Sequence, residues 1–407
     1  MNLHTLSPYT LTRELDAFER MLWATDRIQP HHFLLVLELD GLPLSVDDLR
    51  AALASAQKIH PALRVRIISD PGTPPRFVPV NELIPLQVED QTEEATWLDT
   101  AALELATPFD AERGPLVRAR LIRGESTTHL MLAVHHAIGD GLSAAYLARD
   151  MLESAKSALR PSLPARMSLE RLVTQTPPAS RLHEVSSTTI RTPSLRPEIA
   201  YFTFPPEIVD ELVLRCRQER ATLHSAVTTA ALLAMDEPMR SCLSPVSARP
   251  HLPSIEDEFG LYITSGVTSI ASHASDGFWA VARTVRMLLD RARTLEHLNG
   301  SVTAMRSMLS NIRNDEDMKA LWDSLRVKLG YQAVLSNLGR LPFAASDSEF
   351  RVSAAWLLLN VEAVPVVGVV TAGGRLSVTM STSGGEDHGA WFERFGHLLS
   401  LAIRSVR

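Results

Sequence analysis

The sequence predicts a mixed α/β protein built from two domains, and three observations lead to this prediction. The chain has 407 residues, which is more than one hydrophobic core ordinarily supports. Patterns typical of helices and of strands alternate along both halves of the chain. Residues 156–197 carry six prolines among many serines and threonines, a composition typical of a linker. We therefore predict a first domain over residues 1–155, a linker over 156–197 and a second domain over 198–407.

The first half contains two helix patterns and several strand patterns. Apolar residues recur at helical spacing in residues 15–25, and Ser45 followed by two aspartates predicts the start of a helix over 45–56. We predict strands over residues 33–39, 65–68, 116–122 and 130–134. The third of these alternates Arg118 and Arg120 with apolar residues, which predicts one face in water. The short links between strands imply some antiparallel pairing.

The second half repeats this α/β texture. Pro205-Pro206 opens a helix that is predicted to bury Ile208, Leu212 and Cys216 at four-residue spacing, and Thr222 caps the next helix. We predict strands over residues 201–204, 334–335 and 376–381, and a closing amphipathic helix over 391–403. Because both halves share one texture, a pseudo-duplicated pair of domains is a plausible architecture.

Composition excludes several classes of protein. The apolar fraction of 45% and the charged fraction of 21% are those of a soluble globular protein. A net charge of −7 and the lack of a long lysine or arginine block argue against nucleic-acid binding. Cys216 and Cys242 are the only cysteines, so neither a disulfide framework nor a cysteine-rich zinc site is expected.

The sequence also gives no support for a membrane segment. The first residues lack the basic and apolar regions of a signal peptide. The most apolar stretch, residues 354–370, contains Asn360, Glu362 and Pro365, which a membrane span rarely carries. We interpret this stretch as buried strands and expect a soluble, cytoplasmic protein without stable membrane insertion.

One motif carries most of the chemical information, namely His135-His136-Ala137-Ile138-Gly139-Asp140-Gly141. The apolar run before it predicts a buried strand that delivers both imidazoles to its exit. The glycines around Asp140 predict a turn, and a helix is expected from Leu142 onward. A histidine at a strand end, beside a turn that presents backbone N–H groups, suits proton transfer at a carbonyl.

With this motif in place, the chain resembles the acyltransferase superfamily of non-ribosomal peptide condensation domains and chloramphenicol acetyltransferase. Within it, the sequence is most similar to polyketide-associated acyltransferases and alcohol acetyltransferases. The resemblance covers nearly the whole chain. Its further segments are His60-Pro61-Ala62-Leu63-Arg64, Phe109-Asp110, Gly114-Pro115-Leu116, Thr222-Leu223-His224-Ser225-Ala226-Val227, the surroundings of Arg249, and Leu335-Ser336-Asn337-Leu338-Gly339.

The resemblance implies a fold and roles for the motif residues. The fold would be a V-shaped pair of chloramphenicol-acetyltransferase-like domains with a tunnel between them. His136, the second histidine, would be the general base, because a neutral imidazole can take a proton near neutral pH. Asp140 would be structural and pair with Arg249 from the other domain, since a buried carboxylate needs such a partner.

Other residues of the predicted site each keep two interpretations. His135 either orders the loop by hydrogen bonding or is purely structural. The backbone N–H of Gly141 can stabilise an oxyanion near the start of the helix, or Gly141 is a simple turn glycine. Asn337, next to Ser336, either hydrogen-bonds to substrate across the tunnel or is an ordinary loop asparagine.

Several other kinds of site find no support. His31-His32 has no third ligand at metal spacing, so we expect no metal. A Gly-x-Ser-x-Gly elbow, a phosphate loop and a dinucleotide fingerprint are all missing from the sequence. We therefore expect no bound cofactor and no serine-linked intermediate. An acyl-CoA or acyl-carrier-protein thioester would serve as co-substrate, with direct transfer in a ternary complex.

Three functions remain open at this stage. The first is an O-acyltransferase of lipid, polyketide or other secondary metabolism that moves an acyl group from a thioester to an alcohol. The second is a stand-alone condensation enzyme that forms amides. The third is a catalytically silent module that recruits enzymes or carrier proteins. A carrier-protein donor would need a basic patch, for which the arginines at 64, 66, 118 and 120 are candidates, or these are scattered solvated charges.

Overall fold

The structure is a computed structural model of the chain. It describes residues 8–41, 45–92, 96–125, 127–154, 161–176, 196–255, 257–271, 277–343, 350–359, 364–383 and 388–404. Helices alternate with strands in both halves of this described part, so the predicted mixed α/β class is confirmed.

The first half contains seven strands and four helices among the described residues. In chain order they are β1 (Arg13–Glu14), α1 (Ala17–Ile28), β2 (Phe33–Gly41), α2 (Val46–Ile59), β3 (Val65–Ile68), β4 (Arg76–Pro79), β5 (Leu86–Asp90), α3 (Trp97–Ala106), β6 (Val117–Arg123), β7 (Thr128–Val134) and α4 (Gly141–Ser154). A short 3₁₀ helix, Pro61–Arg64, stands between α2 and β3.

The rest of the chain adds seven strands and seven helices within the described ranges. They are α5 (Leu169–Thr174), β8 (Glu198–Phe204), α6 (Pro206–Gln218), α7 (Leu223–Ala234), β9 (Met239–Ser247), β10 (Ile263–Ala271), α8 (Phe278–Ala292), α9 (Leu295–Leu309), α10 (Asp315–Leu329), β11 (Ala333–Arg340), β12 (Phe350–Leu359), β13 (Val366–Ala372), β14 (Arg375–Thr382) and α11 (Gly389–Arg404). A 3₁₀ turn, Arg249–His251, follows β9.

Helix starts follow their capping residues. Helix α1 begins at Ala17 rather than at residue 15, because the Asp16 side chain accepts from Glu19 N and the Glu19 side chain accepts from Asp16 N, both at 2.9 Å. Ser45 caps α2 as predicted, and Thr222 caps α7. In α6 the predicted Leu212 and Cys216 are buried, but Val209 is fully buried where Ile208 is only partly so.

The first sheet has the strand order β12-β2-β7-β6-β5. Strand β7 lies in its middle, antiparallel to β2 and β6, and is buried on both faces. Leu130 and Leu132 of β7 pack into the core under α1, α2 and α4, whereas Met131 and Ala133 face a second cluster with α3. Placing β7 at the centre of the sheet fixes where the histidine motif emerges.

The predicted wet face of β6 is wrong. Arg118 and Arg120 are only 21% and 17% exposed, because α3 covers this face of the sheet. Both guanidinium groups bind the buried carboxylate of Glu104, at 2.5 and 2.6 Å. Two of the four charges of the suggested basic patch are therefore neutralised within the fold.

The second sheet has the order β10-β9-β11-β13-β14-β8. Its core lies under α6, α7, α8 and α11, with Val227, Val285, Leu335 and Phe395 fully or almost fully buried. Strand β11 is parallel to β9 and β13, and its ladder with β13 shifts register between Asn337 and Gly339. This irregularity sets the direction of the chain at the predicted Ser336-Asn337 segment.

Strand β12 connects the two sheets. It follows β11 in sequence but pairs antiparallel with β2 at the edge of the first sheet. Its Leu357 carbonyl accepts a hydrogen bond from Thr379 Oγ1 of β14 at 2.5 Å, and its Leu359 carbonyl accepts one from Ser381 Oγ. The predicted buried stretch over 354–370 thus contributes β12 to one sheet and β13 to the other, with Asn360 and Glu362 outside the described residues.

The predicted linker is described only in part. Residues 161–176 pack against the first half, where Leu163 N donates to Ile59 O and Ala165 N donates to Pro8 O. Residues 156–160 and 177–195 of the predicted linker lie outside the described residues. No helix in the described part of the chain is long and apolar enough to cross a membrane.

The crossing of β12 over β13 gives a first testable prediction. A Cβ added at Gly368 would lie 2.0 Å from Leu357 O, so the two strands would have to separate. We expect Gly368→Ala to lower the free energy of unfolding by about 3 kcal/mol, as overpacking of a tight core does. Urea denaturation followed by circular dichroism measures this change.

Gly300→Ala is the matched control for this substitution. Gly300 lies exposed inside α9, and an added Cβ meets no atom within 4 Å. Because alanine favours a helix interior, this variant should gain about 0.5–1 kcal/mol. Equal stability of the two variants would contradict the close crossing of the strands.

Candidate active site between the two sheets

The histidine motif forms the junction between β7 and α4. His135 N donates to Leu116 O at 3.0 Å, so the sheet hydrogen bonding continues one residue past β7. The chain then turns, with Ile138 N donating to His135 O at 3.1 Å, and α4 begins at Gly141. Both imidazoles are therefore held at the exit of a central strand.

The His136 ring has a defined tautomer. Its Nδ1 lies 3.0 Å from Gly139 O. A carbonyl oxygen only accepts, so Nδ1 carries the hydrogen and Nε2 keeps a free lone pair. Burial lowers the pKa of His136 below its usual value, so the ring is neutral at neutral pH.

A cavity of about 60 Å³ lies against His136 at the meeting point of the two sheets. Strands of both sheets and the start of α4 contribute to its wall. The lining residues are Phe33, His136, Asp140, Gly141, Leu142, Pro245, Ser247, Ile263, Ser336, Asn337, Leu338, Leu357 and Leu359. The cavity thus collects the predicted site residues His136, Asp140, Gly141, Ser336 and Asn337.

Asp140 is held by a buried ion pair. Arg249 Nη1 donates to Asp140 Oδ2 at 2.8 Å, and both side chains are at most 5% exposed. Ser143 and Tyr262 donate backbone N–H groups to the same carboxylate, at 3.0 and 2.9 Å. Burial alone would raise the pKa of Asp140, but Arg249 and these hydrogen bonds bring the pKa below its ordinary value.

Arg249 links the second half of the chain to the motif. Its Nη2 donates to Ser143 Oγ at 3.0 Å and to the carbonyls of Glu258 and Gly260 at 3.1 and 3.3 Å. Both oxygens of Asp140 are used by these neighbours and none bonds to His136. The structure therefore brings Asp140 and Arg249 together as a clamp on the loop.

His135 points away from the cavity into a buried polar cluster. Its Nδ1 accepts from Ala137 N at 3.1 Å, and its Nε2 lies 3.5 Å from Asp26 Oδ2. Asp26 also accepts from His31 N at 2.8 Å. Burial would raise the pKa of Asp26, but the neighbouring histidines lower it to about 2, so this carboxylate stays charged. His135 therefore orders the turn on one side and contacts α1 on the other.

His31 is a site residue that the sequence reasoning missed. Its ring stacks on His136 with the centroids 6.0 Å apart, and Trp322 of α10 approaches it edge-on at 5.6 Å. Burial and the proximity of His136 lower its pKa to about 3, so it is neutral. The ladder pairs Phe33 with Val134, so extending this register places His31 opposite His136. Pairing the two strands at the sequence level was the available signal.

Gly141 and Asn337 face each other across the cavity. A Cβ at Gly141 would lie 2.5 Å from Leu338 Cδ2, so only glycine allows this approach. The first N–H groups of α4 have no partner within the helix. Asn337 Oδ1 accepts from Gly339 N at 2.8 Å, which is a contact within its own loop and not one across the cavity. No group of side chains suited to hold a metal ion occurs among the residues described.

Comparison with known protein families adds the following. Residues 25–164 match the family model "Condensation domain". A curated relative is the phosphinothricin tripeptide synthetase of Streptomyces viridochromogenes, with 28% identity over 159 residues, which is 36% of this chain. The chain spans 15% of the length of that synthetase and a smaller share of the other synthases that it matches.

Solved structures match over nearly the full length. Polyketide synthase associated protein 5 from Mycobacterium tuberculosis aligns with a TM-score of 0.70 at 14% identity, covering 99% of this chain and 100% of that one. The condensation domain of monacolin K polyketide synthase aligns with a TM-score of 0.68 at 13% identity, covering 97% and 98%. At such identities the likeness establishes the fold, with its two chloramphenicol-acetyltransferase-like lobes.

The clamp on the loop gives a second prediction. Asp140→Asn keeps the shape of the side chain but leaves the buried Arg249 without a counter-charge, so we expect a loss of about 3 kcal/mol in the free energy of unfolding. Asp47→Asn is the control, because Asp47 pairs with Arg50 on the surface, where ion pairs contribute little. Urea denaturation at pH 7 compares the two, and similar small losses would contradict the clamp.

The same carboxylate predicts a pH dependence. The pKa of Asp140 is lower in the folded than in the unfolded state, so its stabilisation is complete above the unfolded pKa of about 3.9 and is lost as pH falls through the folded value. Stability curves from pH 7 to pH 3 should therefore fall less steeply for Asp140→Asn than for the parent protein. Parallel curves would show that this carboxylate has no depressed pKa.

Proposed function

Because the chain is related to the condensation domains, in fold over its full length and in sequence over residues 25–164, we propose that it is an acyltransferase acting on an alcohol. The donor is a thioester of CoA or of an acyl carrier protein, and the product is an ester of lipid, polyketide or other secondary metabolism. One observation carries the proposal: a neutral imidazole, His136, lies on the wall of a cavity where the two lobes meet.

His136 acts as the general base. The alcohol oxygen attacks the thioester carbonyl while Nε2 takes the hydroxyl proton, and the carbon–oxygen bond forms as the carbon–sulfur bond breaks. The imidazolium then returns the proton to the departing thiolate. The hydrogen bond from Nδ1 to Gly139 O keeps the ring in the tautomer that this step needs. Such assistance is typically worth about 10²–10⁴ in rate.

The start of α4 stabilises the tetrahedral intermediate. The N–H groups of Gly141 and Leu142 are among those without helical partners, and both residues line the cavity. The negative oxygen that develops on the carbonyl therefore meets fixed donors in a site with little water. The amide of Asn337, whose orientation Gly339 N fixes, is a further donor. One such donor is worth about 10²–10³ in rate.

The remaining motif residues position these groups. Asp140 and Arg249 hold the turn that carries Gly139 and Gly141, and His135 fixes its other end. A relay from Asp140 to His136 is not part of this mechanism, because Arg249, Ser143 and Tyr262 use the carboxylate oxygens.

The cysteines favour direct transfer over a thioester-linked enzyme intermediate. Burial raises the pKa of Cys216 and of Cys242 to about 12, so neither supplies a thiolate at neutral pH. The acyl group then passes from donor to acceptor while both are bound.

Amide formation is the second candidate. A peptide synthetase is among the relatives by sequence, and the same base would accept a proton from an amine. An alcohol needs a general base more than an amine does, since its oxygen is the weaker nucleophile. The intact His136 and Asp140 favour either catalytic function over a silent recruitment module.

An acyl-transfer assay tests the proposal. Purified protein is incubated with acyl-CoA or acyl carrier protein and a panel of alcohols and amines, and products are identified by mass spectrometry. We expect esters, with turnover lost by a factor of about 10²–10⁴ in His136→Ala. His224→Ala is the control, because His224 binds Arg293 in the second lobe. Amides without esters would favour the second candidate, and no product at all would favour the silent module.

The pH profile provides a separate check on the base. The base must be neutral, and burial places the pKa of His136 below its usual value of about 6.5. The rate constant kcat/KM should therefore be level from pH 7 upward to about pH 8 and fall only as the pH drops below about 6.5. A profile that still rises steeply between pH 7 and pH 8 would argue for another base.

A further inference from the structure

The wall of the cavity beside His136 is made mainly of carbon. Phe33, Ile263, Leu338, Leu357 and Leu359 supply apolar side chains from four different strands. No lysine or arginine is among the residues that line the cavity, and the single carboxylate there, Asp140, is held by Arg249. A charged occupant would lose its hydration without gaining a partner, so the occupant is an uncharged, apolar group.

The donors at the start of α4 decide which part of the substrates this group belongs to. The N–H groups of Gly141 and Leu142 lie on the same wall and attract a carbonyl oxygen. A thioester carbonyl at these donors places its own acyl chain among the apolar side chains. The alcohol, in contrast, must present a polar hydroxyl to His136.

The volume limits the length of that chain. The cavity measures about 60 Å³. A water-sized group needs about 10–15 Å³ on this measure, so there is room for roughly four to six heavy atoms. The cavity therefore matches an acyl group of about two to five carbons rather than a fatty acyl chain.

Leu338 restricts the space. It lies at the register shift of β11, between Asn337 and Gly339, and the positive φ of 69° at Gly339 supports the irregular backbone there. This bulge turns Leu338 toward α4, where its Cδ2 occupies the space that a side chain at residue 141 would need. The restriction is a flexible side chain and not the backbone, so a smaller residue would relieve it.

We infer that this cavity is an acyl-binding site selective for short, apolar acyl groups, and that Leu338 sets the upper limit of their length. The inference rests on the proposed acyl transfer, because it names the donor group that the same site accepts. Leu338 is a specificity-determining residue in this scheme and takes no part in proton transfer.

The test uses thioesters of pantetheine, the segment that CoA and acyl carrier proteins share. Rates with acetyl, butyryl, hexanoyl and octanoyl donors are measured with one alcohol. We expect kcat/KM to fall by about tenfold or more between butyryl and octanoyl, and Leu338→Ala to move the preferred length up by about two carbons. Leu214→Ala, at an exposed position on α6, is the matched control and should leave the profile unchanged.

A binding measurement separates this inference from the proposed reaction. Calorimetry with S-ethyl, S-butyl and S-octyl pantetheine needs no turnover. If short analogues bind best and Leu338→Ala admits the octyl one while no donor reacts, the acyl site stands and the acyltransferase proposal fails. If transfer occurs but octanoyl is the preferred donor, or Leu338→Ala leaves the length profile unchanged, the inference is overturned and the reaction stands. Equal binding of all three analogues, or none, also overturns it.

Discussion

The buried ion pair between Asp140 and Arg249 is the constraint on which the site depends. It joins the loop after β7 to the segment after β9, so residues from the two halves of the chain share one carboxylate. Desolvating both charges costs several kcal/mol, and the cost is offset only because hydrogen bonds from Ser143 and Tyr262 complete the carboxylate shell. With the loop fixed in this way, His136 and the start of α4 have one position each.

The crossing strand β12 gives this clamp a rigid setting. It pairs with β2 in the first sheet while its carbonyls accept hydrogen bonds from β14 of the second. Helices α9 and α10 also pack against the core of the first half, through Val302 and Met318. The cavity therefore lies between elements that cannot slide freely, and a reacting group within it would meet preorganised partners rather than mobile ones.

Local patterns predicted most single elements, and their failures have physical causes. The start of α1 was displaced by two residues because the capping box of Asp16 and Glu19 outweighs the apolar Leu15. The face of β6 was called wet because arginines usually contact water, but Glu104 on α3 neutralises them inside the fold. Neither the capping partner's geometry nor the covering helix can be read from the alternation of residues along one strand.

The sequence by itself determined the alternation of helices and strands, the buried strand ahead of the motif and the chemical identity of the candidate base. Those features depend on residues close together along the chain, where spacing and capping decide the outcome. Tertiary structure alone decided that β12 leaves its own half, that His31 stacks on His136, and that Leu338 lies against Gly141. Each of these contacts joins segments far apart in sequence, and packing selects them only when whole sheets come together.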